Sequence, residues 1–157
     1  EKLVERVAEF PVPTRIGTLN GYSYVTPFDA VNHLALVHGS IGDGRNVLVR
    51  LHRADPVADA FTGGKMLHQV MERIKAEGSG VLVYLRDGTV GVPVTSAGKA
   101  RSASEARERQ WREIGLGAQI LKDLGVSSIR LLAASEWHYV GLRGFGIAIE
   151  CAEHLNP

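Results

Sequence analysis

A single cysteine, Cys151, stands in a chain of 157 residues. One thiol excludes an internal disulfide framework and any zinc site built on several thiolates, and it suits a reducing compartment such as the cytoplasm. An excess of one charge is missing as well: 18 Lys and Arg face 17 Asp and Glu, a net +1. That balance leaves no electrostatic footprint for nucleic acid. No apolar run approaches the roughly 20 residues of a membrane span, and the opening EKLVERVAEF has no secretory hydrophobic region. Neither nucleic acid nor membrane is therefore expected as a partner. Position 1 is not methionine, which fits a mature terminus, a trimmed chain or a domain cut from a longer one. A phosphate loop is also missing, because beside Gly63-Gly64-Lys65 a Walker A pattern needs glycine where Asp59 stands and Ser or Thr where Met66 stands. None of the six histidines forms an i, i+4 metal pair. His33 and His38, five apart, fall on opposite faces of a strand. Cys151 and His154 have ligand spacing, but a second ligand pair is absent, so they read as a thiol and a surface histidine.

What is present describes one domain. With 45% hydrophobic residues, a chain of this length buries roughly 70% of its unfolded surface and needs no covalent staple. Val4, Val7 and Phe10 begin an extended stretch that Pro11 and Pro13 are expected to interrupt. A β-type run follows over Gly17 to Tyr24. The strongest strand candidates are Asn32 to His38 and Asn46 to His52, with the glycine-dense GSIGDG between them reading as a hairpin-like turn. Leu67, Val70, Met71 and Ile74 fall on one face of a helix over Gly64 to Glu77. Val81 to Leu85 is a short buried-type strand. The stretch Arg86 to Arg101 lacks any period and reads as a surface loop. Ser102 and Glu105 have capping-box spacing for a helix to Leu124 that presents Ile114, Ala118, Leu121 and Leu124 on one face, with Gly125 as its stop. A strand over Ser128 to Leu132, a short helix over Glu136 to Arg143 and a strand over Gly146 to Glu150 complete the reading. Strands first, then alternating strands and helices, predict an α+β domain, α/β-like in its second half, with a mixed sheet and packed helices.

Chemistry is harder to find. The glycines of GLRGFG read as a helix-to-strand turn, because no strand closely precedes them. Lys99, Arg101, Arg107, Arg109 and Arg112 alternate with Glu105, Glu108 and Glu113, the pattern of a solvated helix face, the alternative being an anion site. Trp111 and Trp137 suit either a core or an interface. His52 and Arg53, with Asp55 and Asp59, form the one compact polar group at a strand end, although a solvated loop is the simpler reading.

Four segments, HLALVHGSIGDGRNVLVRLHR, EGSGVLVYLRDG, REIGLGAQILKDLGVSSIRLL and GLRGFGIAI, resemble GTP cyclohydrolase II, in order from about Val7 to Glu150. Pro13, Thr14 and Gly17 match that family's opening pattern, and GAQILKDLGVSSIRLL is the most specific piece. The resemblance implies a domain often joined behind a 3,4-dihydroxy-2-butanone 4-phosphate synthase, with residues 1–12 as the linker and 1–157 as one domain. It implies a homodimer too.

The family's chemistry needs zinc on three cysteines, one in an R-V-H-S-E-C-type motif and two in C-D-C-G. Here RLHRAD puts Asp55 at the first, and Phe61-Thr62-Gly63-Gly64 leads into the helix with no C-D-C-G stretch. One carboxylate does not replace three thiolates. The family's E-G-R-G-I-G-L loop is reduced to Asp87–Val92, and the segment after it is shortened into Pro93–Ser104. In the D-x-R motif, the position assigned as base carries Gln110, which does not titrate, while the phosphate-attacking arginine matches Arg112. The L-L-T-N-N-P-x-K loop becomes Leu131-Leu132-Ala133-Ala134-Ser135-Glu136 without the lysine. The expectation is thus a domain with no catalytic residues, Arg112 being a remnant, and with no metal or cofactor. Arg50, His52 and Arg53 are the remnant ligand-binding positions. Its expected role is structural or regulatory in riboflavin biosynthesis, and a fused synthase domain would carry the enzyme activity. A small-molecule sensor for a nucleotide, flavin or sugar phosphate, or a repurposed metal-free enzyme, are the alternatives.

Overall fold

The computed structural model describes residues 3–27, 30–86, 103–134 and 139–155. Seven strands form one mixed sheet in the order β1-β2-β3-β5-β4-β6-β7. They are β1 (Glu5–Thr14), β2 (Gly17–Val25), β3 (His33–His38), β4 (Val47–Arg53), β5 (Gly80–Leu85), β6 (Ser128–Ala133) and β7 (Ala148–His154). The helices are α1 (Lys65–Glu77), α2 (Ala103–Asp123) and α3 (Tyr139–Gly144), and a π-helical turn runs over Val57–Phe61. β1, β2, β3 and β5 pair antiparallel in succession, whereas β4 lies parallel between β5 and β6, and β7 is parallel to β6. Parallel neighbours need helical crossovers, and α1 between β4 and β5 supplies one.

Alternation along the central strands divides the core into two layers. Val47 and Val49 of β4, Val81 and Val83 of β5, and Ile129 and Leu131 of β6 face α2 and α3, packing on Ile114, Ala118, Leu121 and Leu142. Leu48, Leu82 and Leu132 point the other way and pack on Val70, Met71 and Ile74 of α1. Strands covered on both faces read as continuous apolar runs, which is the pattern these segments carry.

Three expectations are corrected. The hairpin between β3 and β4 does not form, because β5 lies between them and pairs with both. The GSIGDG segment is instead a crossing loop anchored on the far side of the sheet, where Gly44 O accepts Ser127 N–H at 2.8 Å. Gly44 has φ of +83°, and a Cβ there would collide with the carbonyl oxygen of Gly125. Second, Pro11 and Pro13 do not interrupt β1, which runs through both. It is the outermost strand on that side and pairs with β2 alone, a place where a missing N–H is tolerated. Third, the expected linker over 1–12 is, from Glu5 onward, part of that strand. The loop read over Arg86 to Arg101 lies beyond Arg86 outside the described residues, as do Ser102 of the capping box and the opening of the short helix before Tyr139.

Candidate functional site

On β4, residues of even number face α1, so Arg50 and His52 share a face with Leu48. In the parallel register His52 sits beside Tyr84 of β5, and their rings stack at 5.4 Å between centroids with 17° between planes. Just past β4 the Ala54 N–H donates to Leu85 O at 2.7 Å. Asp55 and Pro56 then open the π-helical turn, a form concentrated at functional sites. The Oδ1 of Asp55 accepts the Ala58 N–H at 3.1 Å.

Asp59 is the centre of this cluster. Its Oδ2 accepts the Tyr84 hydroxyl at 2.9 Å and the Asp55 N–H at 3.0 Å, and its carboxylate lies 3.2 Å from His52 Nε2 through both oxygens. The His52 side chain is 6% exposed and that of Asp59 10%, so the solvated-loop reading fails for these two, whereas Arg53 and Asp55 are exposed. Burial lowers the His52 pKa below its ordinary value, against the attraction of Asp59, and the Arg50 charge lowers it further. His52 is therefore neutral at pH 7, its Nε2–H donating to Asp59. Nδ1 is left as a buried acceptor without a partner among the described residues. Tyr84 is pushed up to about 12 by burial and by its bond to Asp59, so it stays a donor across the physiological range.

The three arginines and one histidine singled out in the sequence do not converge. Arg50 and His52 share the α1 face, with Arg50 Nη1 donating to Leu132 O at 3.3 Å and its buried Nε without a partner among the described residues. Arg53 takes the opposite face and binds Glu113 of α2 through Nε at 3.1 Å and Nη2 at 2.9 Å. Arg112, the residue before Glu113 on α2, lies in an apolar groove with Trp111 and Phe145. Trp137 lies outside the described residues. Cys151 is exposed on the outer strand β7. Sequence reasoning missed Tyr84, whose one signal was a polar-tipped ring inside the apolar run VLVYL.

The donors here do not fit a zinc ion. Asp59 spends both oxygens on protein donors, and Asp55 caps the turn. Among the described residues no group of three or more His, Cys, Asp or Glu side chains could hold a metal.

A mixed sheet with helices on both faces and a polar cluster at the carboxyl end of a central parallel strand defines an α/β domain with a ligand-site architecture. Residues 5–154 match the family model for GTP cyclohydrolase II, and the chain belongs to that family. It is 38% identical over 95% of its length to the monofunctional riboflavin biosynthesis protein RIBA 2 of Arabidopsis thaliana, covering 33% of that protein. To the riboflavin biosynthesis protein RibBA of Bacillus cereus it is 36% identical over 95% of this chain and 42% of the other. A crystal structure of RibBX, a two-domain 3,4-dihydroxy-2-butanone 4-phosphate synthase from A. baumannii, superposes with a TM-score of 0.68 at 31% identity, covering 98% of this chain and 41% of that one. The chain thus spans well under half the length of these relatives. The plant relative is named as chloroplastic; in this chain no helix among the described residues is long and apolar enough to cross a membrane.

Proposed function

We propose that this chain is a catalytically inactive GTP cyclohydrolase II-like domain with a structural or regulatory role in riboflavin biosynthesis. It would serve in a cytoplasmic polypeptide that also carries a 3,4-dihydroxy-2-butanone 4-phosphate synthase domain, and assemble as a homodimer. One observation carries the reading. Where the resemblance puts the first zinc cysteine, Asp55 caps a closed turn, and the neighbouring Asp59 is consumed by His52, Tyr84 and the Asp55 N–H. Hydrolytic ring opening needs an activated water and a proton acceptor in reach. Gln110 at the base position has no titratable proton, and the His52 Nδ1 lone pair is buried. The second of these also weighs against a repurposed metal-free enzyme. Elemental analysis of the purified protein should find far less than one zinc per chain, with no GTP ring opening and no unfolding in chelator. Near-stoichiometric zinc whose removal unfolds the protein, or GTP turnover abolished by Arg112→Ala, overturns the reading.

The sensor reading keeps support from one feature of the arginines. Arg53 is already paired with Glu113, but Arg50 is half-buried without a carboxylate partner among the described residues, and Arg112 has no ion pair there either. An unpaired guanidinium is the side chain that anion recognition requires.

A further inference from the structure

The two outer edges of the sheet differ. An outer strand turns a row of N–H and C=O groups away from its one neighbour, a template on which another strand can pair. On the β1 side that template is spoiled. The two-residue turn Arg15-Ile16 makes Thr14 and Gly17 a hydrogen-bonded pair, so by alternation Pro11 and Pro13 take positions whose backbone faces away from β2. The outward donors over that half of the strand are missing, and the register also slips at Val7.

The β7 edge has neither proline nor lysine over Ala148–His154, and among the described residues no strand lies beyond it. Which of its groups face outward follows from the ladder. Leu155 N–H donates to Ala133 O at 2.9 Å. In a parallel ladder alternate residues turn both backbone groups to the same neighbour, so Glu153 and Cys151 also face β6, while Ala152 and His154 face outward. Ala148 N–H donates to Ser127 O at 3.0 Å, which turns Ala148 to β6 too, out of step with Cys151. The extra residue is Glu150, skipped between Ile149 and Cys151 in the register. The regular part of this edge is therefore Cys151 to His154, and both of those residues are exposed.

We propose that this edge pairs antiparallel with the same edge of a second copy of the chain, with the two-fold axis at Ala152. Such a contact is isologous, residue i meeting j and j meeting i. The other centres fit less well. Glu153 on the axis would set two carboxylates directly opposite, which is destabilising, and Cys151 on the axis would rely on the bulged Glu150 for its bonds. With Ala152 on the axis, its outward N–H and C=O exchange two hydrogen bonds with Ala152 of the second copy, and the small side chain leaves room for its counterpart. Cys151 then faces Glu153 and Glu150 faces His154, so no two like charges are opposed. The contact rests on the homodimer reading above and gives it a place in the fold.

In the full polypeptide that carries this domain, amide hydrogen exchange should slow Ala152 N–H about tenfold or more relative to an open strand edge. The two Cys151 side chains become diagonal neighbours with backbones roughly 7–8 Å apart. A short bis-maleimide should therefore join two chains, and Cys151→Ser should abolish that link. Ala152→Pro removes the outward N–H without breaking a bond to β6, as Pro11 and Pro13 do beside β2. It should cut the cross-linking about tenfold, the loss of two hydrogen bonds at the axis, with an unchanged circular dichroism spectrum. An Ala152 amide that exchanges freely overturns the proposal, and so does cross-linking unaltered in a folded Ala152→Pro variant. The exchange measurement needs no variant, so it decides even where Ala152→Pro does not fold. Light scattering separates the two readings: a dimer with neither the link nor the protection keeps the homodimer and removes this contact, whereas a single-chain mass removes both.

Discussion

Removing the Asp59 carboxylate is the sharpest test of how the loop after β4 is held. In Asp59→Ala three donors lose one acceptor: the Tyr84 hydroxyl at 2.9 Å, the Asp55 N–H at 3.0 Å and His52 Nε2 at 3.2 Å. Hydrogen bonds to a charged group are worth about 1.5–3 kcal/mol each, and a buried donor left unmade costs about 1–3 kcal/mol. The contributions do not add. Asp55 is exposed, so water can replace its share, and the substitution relieves the desolvation of the carboxylate itself. The Tyr84 and His52 terms remain, and the expected loss is about 3 kcal/mol. For a domain of this size that lowers the thermal midpoint by roughly 6–12 °C. Asp59→Asn, which keeps one carbonyl oxygen but turns an amide N–H₂ toward donors, should lose about 2 kcal/mol. Urea unfolding followed by far-UV circular dichroism measures this, with an unchanged m-value showing that the denatured state is the same. A double-mutant cycle with Tyr84→Phe should return a coupling near 1 kcal/mol. If Asp59→Ala stays within about 0.5 kcal/mol of the parent, as an ordinary surface change would, the cluster is not what closes the loop.

His52 makes stability depend on pH with a definite sign. Its folded pKa is depressed by burial, so below about pH 6.5 the unfolded chain binds a proton that the folded chain refuses. Stability is therefore full above that value and is lost as pH falls toward 5; in His52→Gln the slope over that window should be shallower, and an equal slope refutes the assignment. Gly44→Ala should cost about 3 kcal/mol or more, combining φ of +83° with a collision against the Gly125 carbonyl, and a midpoint shift under 2 °C would be inconsistent with that. Light scattering at micromolar concentration should give twice the 17.0 kDa of one chain, whereas a mass near one chain that holds on tenfold concentration rules out the homodimer.

Apolar runs such as VLVRL and VLVYL announce strands because every second residue must find one of two cores, and both cores are present here. What such a run cannot carry is the identity of its neighbour. β3 and β4 each look like half of a hairpin, yet the polypeptide leaves β4 through α1 and returns as β5 between them, since a parallel pair needs the crossover and the crossover decides who sits beside whom. The site follows the same division. That His52 would lie at a strand end with Asp55 and Asp59 close by was legible from spacing; that it would be buried was not, because burial depended on Tyr84, which is 32 residues away in sequence and adjacent only through the β4–β5 register. The π-helical turn has no period to read, and it is this turn that swings Asp59 back under His52. A carboxylate that satisfies two side chains and its own loop backbone ties one turn of chain to two strands. A loop tied in that way needs no bound ion to keep its shape. The polar groups after β4 therefore have a sufficient structural reason to be where they are.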